Sequence, residues 1–241
     1  MPASMTAINE KQQERSVRRM FGEIAEQYDL LNRLMTFDQD RVWRQCVVRA
    51  AEMPPSGTLL DAGAGTGSIA LDALKAGNTL KVVAADFTVE MMHTGRSKQH
   101  GNLVAWTAAD ALALPFGDAC FDAVTSGYLI RNVVDPLRAF KEQTRVVKPG
   151  GRVVCLETSP PPDGPLKPFL LLFLNRLIPL LGHMVSGNRS AYTYLPQTTQ
   201  NFMSPEKVAA IMRSAGLTNI RYQHFMFGTI AVHVGIKPNS P

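Results

Sequence analysis

Cysteine is scarce in this chain, with only Cys46, Cys120 and Cys155 among 241 residues. They form no CxxC pair and have no histidine nearby at ligand spacing, which argues against a zinc site or a disulfide framework. Cys120 and Cys155 lie in apolar runs and read as core thiols, a usage that fits a reducing, cytoplasmic setting. No apolar stretch reaches the ~20 residues that a bilayer span requires. The most apolar one, 169–182 (FLLLFLNRLIPLLG), is too short and is interrupted by Asn175, Arg176 and Pro179. The polar opening MPASMTAINEKQQERSVRRMF lacks the apolar core of a secretory signal. A G-x-x-x-x-G-K-[ST] phosphate loop, an internal repeat, a low-complexity tract and an interdomain linker are all missing as well.

What is present is an ordinary globular balance, 45% apolar and 19% charged, enough for one full-sized core without staples. The formal charge is +5, and much of the excess sits in Lys11, Arg15, Arg18, Arg19, Arg33, Arg41, Arg44 and Arg49. That cluster is either a solvated helix face or a patch for an anionic surface, lipid or nucleic acid.

Hydrophobic periodicity predicts helices over 9–26, near 28–35 and over 38–52. Strands and helices then alternate: strands at 58–61, 81–85, 103–106, 121–125 and 152–157, helices at 68–76, 89–99 and 136–147. A polar stretch (186–202), a helix at 204–215 and strands near 220–225 and 230–236 close the chain. Short connections between alternating elements predict a doubly wound α/β fold: a seven-stranded, mostly parallel sheet with an antiparallel edge hairpin and an N-terminal helical cap. Within one domain, 1–56 forms the cap, 57–160 the cofactor core, 161–203 an apolar helical lid and acceptor region, and 204–241 the last helix and edge strands.

The strongest local motif is Asp61-Ala62-Gly63-Ala64-Gly65-Thr66-Gly67, leaving a strand and entering a helix. A dinucleotide site wants G-x-G-x-x-G with a pyrophosphate on the helix N-terminus. This G-x-G-x-G loop is one residue tighter, and Asp61 before it suits the cationic methionyl end of S-adenosylmethionine (SAM) better than a pyrophosphate. The second strand ends in Asp86, placed to take two ribose hydroxyls. Beyond the third strand, Asp110 faces an adenine amino group in this reading, with apolar neighbours sandwiching the ring. No N-P-P-Y or D-P-P-Y cluster follows the fourth strand, so nothing there is built to grip a flipped base.

Two longer signatures carry a family resemblance. Tyr28-Asp29-Leu30-Leu31-Asn32-Arg33, followed by Arg41-Val42-Trp43-Arg44, is one; Arg131-Asn132-Val133-x-Asp135, running to Lys148-Pro149-Gly150-Gly151, is the other. Leu156-Glu157-x-Ser159-x-Pro161 and Tyr192-x-Tyr194-Leu195-Pro196 extend the match. The chain resembles the demethylmenaquinone and 2-polyprenyl-6-methoxybenzoquinol C-methyltransferases over nearly its whole length. The resemblance implies SAM-dependent methylation of a ring carbon of a polyprenylated quinol, and carries cofactor contacts to Thr66, Asp86, Asp110 and Ala111. It departs from the family at Asp38-Gln39-Asp40 (usually Gly-x-His), at Gly127-Tyr128-Leu129-Ile130 (usually Ser-Phe-Gly-Leu) and at 197–200. Gly127 thus stands where the family has a cofactor-contacting serine, unless Ser126 substitutes for it.

The chemistry expected is in-line methyl transfer to a ring carbon beside a phenolate. Arg131 is the candidate cation for that phenolate, with Asn132 and Tyr28 orienting hydroxyls; the bland alternatives are an Arg131–Asp135 surface pair and a packed Tyr28. The broad apolar face of 165–182 is either a core or homodimer helix, or an element that touches a membrane surface and guides a lipid tail. Demethylmenaquinol is the first acceptor expected, with the benzoquinol, a soluble aromatic metabolite, or a SAM-binding scaffold without turnover as alternatives. No metal site and no nucleic-acid partner is expected.

Overall fold

The computed structural model describes residues 12, 15–77, 80–186 and 189–239, leaving aside the side chains of 184–186, 189–193 and 195. The expected helix over 9–26 therefore lies partly outside the described residues; its described run is α1, 15–24. Helices α2 (Tyr28–Thr36) and α3 (Asp40–Ala50) complete the cap. The break between them falls at Phe37 and Asp38, which both adopt positive φ (51° and 62°) and so cannot continue a right-handed helix.

Seven strands follow: β1 (Thr58–Ala62), β2 (Lys81–Asp86), β3 (Ala105–Ala108), β4 (Phe121–Gly127), β5 (Val147–Thr158), β6 (Thr218–Phe225) and β7 (Ile230–Ile236). Their spatial order is β3-β2-β1-β4-β5-β7-β6. The first five are mutually parallel, and β7 runs antiparallel to both β5 and β6. Successive residues point to opposite faces, and each face has its own helices. Leu59, Ala123 and Val154 pack with Trp43 and Val47 of α3 and Ala70 of α4 (Ser68–Ala76). Leu60, Val124 and Val153 pack with Phe140 of α6 (Pro136–Val146) and Met212 of α10 (Pro205–Ser214). Helix α5 (Val89–Arg96) follows β2.

The chain winds outward from β1 to β3 and then returns to place β4 on the other side of β1. At such a reversal the two loops diverge, opening a crevice at the carboxyl ends of β1 and β4. The lid crosses that end of the sheet: α7 (Lys167–Leu172), a π-helical turn over Phe173–Leu177, α8 (Ile178–Ser186) and α9 (Arg189–Gln200). A third apolar cluster joins lid and cap, with Leu31 and Met35 of α2 against Leu174 and Ile178.

Three expectations need correction, the first being Cys120, which is exposed and not a core thiol, whereas Cys155 is buried as expected. The third strand begins at Ala105, because Gly101–Leu103 closes a 3-10 turn whose Gly101 carbonyl accepts the Trp106 indole N–H at 2.8 Å. β5 begins at Val147 and carries the Lys-Pro-Gly-Gly segment as an irregularity, its register jumping from Phe121↔Val147 to Ala123↔Arg152. The polar stretch within the lid is helical as α9, in keeping with the helical lid expected over 161–203, although Pro196 lies inside it.

Candidate active site

The glycine loop after β1 builds one wall of the crevice. Gly63, Gly65 and Gly67 all have positive φ (65°, 55° and 70°). The N–H groups of Gly63 and Ala64 both donate to the Ala85 carbonyl, at 2.8 and 3.1 Å. Gly65 N–H donates to Asp86 Oδ2 at 2.7 Å, and Thr88 N–H to Asp86 Oδ1 at 2.7 Å. The Thr88 hydroxyl and the Phe87 N–H also bond this carboxylate. Burial raises the Asp86 carboxyl above its ordinary range, against the lowering effect of those N–H donors. Around Asp86 the cleft is lined by Phe87, Met91, Ala109, Ala111 and Leu114, a slot for a flat ring.

Asp61 lies beneath this loop, almost wholly buried. It accepts from the Thr125 hydroxyl at 3.0 Å and from Ala70 N–H at 3.1 Å, and burial pushes its pKa up to about 7. It borders a second, adjoining cavity with Thr66, Ser68, Asp40 and Arg44.

Not every expected cofactor residue reaches the crevice. Gly67 faces Trp106 instead: a Cβ there would lie 2.4 Å from the indole ring. Its absence of side chain serves packing beneath the loop. Asp110 is exposed on the rim, its Oδ1 accepting Leu112 N–H at 2.8 Å, while Ala111 lines the slot. Ser126 is fully buried beside Cys155 in the sheet, on the opposite face from Gly127, so it does not take the serine's place. Gly127 lines both cavities.

The expected catalytic trio is divided between two adjoining cavities. Tyr28 and Asn132 line the first cleft; Arg131 lines a third cavity. Tyr128 borders all three cavities and separates the first from the third. The third is walled by Met35, Trp43, Leu170, Phe173, Leu174 and Ile178. Arg131 does not pair with Asp135, which instead caps α6 by accepting Arg138 N–H at 2.9 Å. Its guanidinium pairs with Glu157, a fully buried carboxylate that also accepts the Arg131 and Thr158 N–H groups at 3.2 and 2.8 Å. Desolvation works against the charge on Arg131, but Glu157, helped by Tyr28 and Tyr128, offsets it and keeps the guanidinium's pKa above its ordinary value. Arg131 also sits 4.8 Å over the Tyr128 ring, a cation–π contact.

Four residues of this site escape a reading of candidate residues in sequence. Asp29 accepts the Thr66 hydroxyl at 2.7 Å and the Ser68 hydroxyl at 3.2 Å, and pairs with Lys98, which donates to the Thr66 carbonyl at 3.0 Å. The cap is thereby tied to the glycine loop. Tyr194 reaches down from α9 and donates to Asn132 Oδ1 at 2.9 Å, while Asn132 Nδ2 donates to the Tyr128 carbonyl at 2.6 Å. Glu157 is the fourth; a lone acid inside Val-Val-Cys-Leu-Glu is the signal that marks it. Lys98 carries no such signal.

Sheet order, glycine loop and strand-end acid define a SAM-dependent α/β methyltransferase, and comparison with known proteins narrows that class. The model of the ubiE/COQ5 methyltransferase family matches residues 5–237. A "Ubiquinone/menaquinone biosynthesis C-methyltransferase UbiE" from Desulfotalea psychrophila is 42% identical, covering 92% of this chain and 90% of that protein. A "Demethylmenaquinone methyltransferase" from Thermus thermophilus is 43% identical, covering 91% and 100%. Among solved structures, a chain of the methyltransferase–activator complex of Haloferax volcanii superposes with a TM-score of 0.65 at 17% identity, covering 90% and 97%. The chain belongs to the ubiE/COQ5 methyltransferase family.

SAM fits the first two cavities by the chemistry of their donors. Asp86 offers acceptors for a ribose diol, the Ala109–Ala111 slot is apolar and narrow, and Asp61 supplies an acidic floor near the cationic end. The glycine loop presents main chain without Cβ atoms between them.

Proposed function

We propose that this protein methylates a ring carbon of a lipid-tailed quinol, with demethylmenaquinol as the acceptor that the names of its relatives favour. One juxtaposition carries the reading. The cofactor cleft of Gly63 and Asp86 adjoins, across Tyr128, an apolar cavity whose buried cation is Arg131. SAM, when bound, supplies a methyl group on an already activated sulfonium.

The chain's own part is alignment and charge placement. Fixing a ring carbon in line with a bound methyl donor is worth about 7–11 kcal/mol. A phenol titrates near ~10, so a fixed cation in a desolvated cavity favours the phenolate that pushes electron density onto the ring carbon. Arg131 is that cation, and Glu157 holds it in place. Asn132, bridged between the Tyr128 carbonyl and the Tyr194 hydroxyl, and Tyr28 orient ring hydroxyls. The ring carbon would take the methyl group as the sulfonium charge is lost, and the methylated ring would then rearomatise by releasing that carbon's proton to water.

The third cavity is lined by the lid, whose outer face leaves Leu166, Phe169, Leu172 and Leu180 half or more exposed. Phe37 extends this surface from the cap, its ring 6.1 Å from that of Phe173. Arg176 and Lys167 lie on the same segment. We read the face as a peripheral membrane contact through which a polyprenyl tail enters; a homodimer is the competing use. Among the described residues no helix is long and apolar enough to cross a membrane.

The test is transfer of labelled methyl from SAM, in mild detergent, to a short-tailed demethylmenaquinol, a demethylated benzoquinol, a tail-less naphthol and bulk tRNA. Product on demethylmenaquinol that disappears in Arg131→Ala supports the reading. Product only on the naphthol or on tRNA overturns it.

A further inference from the structure

The third cavity is almost entirely apolar, and its few polar atoms divide sharply. Four threonines line it: Thr36, Thr158, Thr199 and Thr229. The hydroxyl of Thr36 donates to the Asn32 carbonyl at 2.7 Å, that of Thr229 to the Met226 carbonyl at 2.8 Å, and that of Thr158 reaches Glu157 at 3.5 Å. Thr199 is 2% exposed, and among the described residues nothing hydrogen-bonds to its Oγ1. A threonine in a helix ordinarily donates to the carbonyl four residues back. Its neighbour Thr198 does so, reaching the Tyr194 carbonyl at 2.9 Å. Thr199, in the last turn of α9, does not.

A buried hydroxyl without a partner is costly in the free protein. One other residue lining the same cavity carries an unpaired buried atom, Nε of Arg131. Two lining residues with unsatisfied polar atoms, in an otherwise greasy cavity, suit a ligand with an apolar body and two oxygens. Arg131 stands beside the cofactor cleft, and Thr199 comes from the lid.

We propose that Thr199 is a specificity-determining residue that hydrogen-bonds the second ring oxygen of the acceptor, the one not handled by Arg131. This rests on the quinol reading and sharpens it: the preferred acceptor carries two ring oxygens, and the lid reads the distal one. A site built to hydrogen-bond a substrate oxygen discriminates against an analogue lacking it, because its own polar group is then left unpaired.

The experiment compares wild type, Thr199→Val and Thr199→Ser on two acceptors with the same short prenyl tail, a demethylated naphthohydroquinol and the mono-naphthol lacking the distal hydroxyl. Wild type prefers the hydroquinol. Thr199→Val lowers kcat/KM for it about 10-fold and leaves the mono-naphthol within about 2-fold, while Thr199→Ser keeps most of the preference. In the ligand-free protein Thr199→Val raises Tm by about 2 °C or more, since it removes an unpaired buried hydroxyl of similar volume. Equal losses on both acceptors, or a fall in Tm with Thr199→Val, overturns the assignment. Wild type acting on neither acceptor overturns the quinol reading itself, and the melting comparison still judges whether the Thr199 hydroxyl is an orphan.

Discussion

Arg131 and Glu157, 26 residues apart in sequence, form a buried ion pair at the boundary between the cofactor cleft and the apolar cavity. Its energetics separate two roles that a single substitution would confuse. Removing one partner leaves the other charge buried and unpaired, which costs about 3–5 kcal/mol, whereas an apolar pair of similar volume is often neutral. Arg131→Ala should therefore lose both activity and several degrees of Tm. The double variant Arg131→Met with Glu157→Leu should recover the Tm and remain inactive. A double variant that regains methyl transfer would remove Arg131 from the chemistry.

Asp61 makes stability depend on pH in the less common direction. Its folded pKa of about 7 lies above the ordinary 3.8, so the folded protein holds this proton more tightly than the unfolded chain. The stability this group contributes is greatest at the acid end and is lost as pH rises through that interval. Melting temperatures of wild type and Asp61→Asn, followed from pH 5 to 8, should diverge, the variant gaining on wild type as pH increases. Parallel curves would place the titration elsewhere.

The loop glycines should respond unequally to alanine. At Gly67 the new methyl would meet the Trp106 ring, itself pinned by its bond to the Gly101 carbonyl, and φ is 70°. Gly67→Ala should cost about 1–3 kcal/mol or more in stability. At Gly63, where φ is likewise positive at 65°, the obstacle is Leu129, whose Cδ1 would lie 2.6 Å away and whose Cβ and Cγ 3.1 Å away, a side chain more yielding than the pinned indole. Gly63→Ala should lose less Tm, and its main effect should be weaker SAM binding by calorimetry.

Tyr194→Phe removes the lid's hydroxyl bond to Asn132 without emptying the space. The acceptor KM should rise about 3- to 10-fold, with kcat and the SAM dissociation constant nearly unchanged. A change confined to SAM binding would assign Tyr194 to the other cleft.

Much of the sheet is legible from local pattern: Ser68–Ala76 follows a glycine loop, and Ile230–Ile236 is apolar and β-branched. What escapes is set by distant partners. Leu103 and Val104 look like strand, yet the turn at Gly101 is held by an indole reaching back from Trp106. The polar composition of α9 and its internal Pro196 blur the bounds of a helix that is ordered by packing on α8 and by the Gln200–Asn175 amide bond of 2.8 Å. The Gly67 motif reads as ligand contact until Trp106 is seen beneath it. Among the site residues, Arg131, Asn132 and Tyr28 are visible through their motifs. Asp29, Lys98 and Glu157 matter through whom they touch, which spacing along the chain does not encode.

Helix α2 is fastened at two places. Asp29 ties it to the glycine loop through Thr66, Ser68 and Lys98, while Leu31 and Met35 are packed into the lid. The helix is thus a shared brace: one end holds the loop that frames the cofactor cleft, and the other holds the lid that walls the apolar cavity.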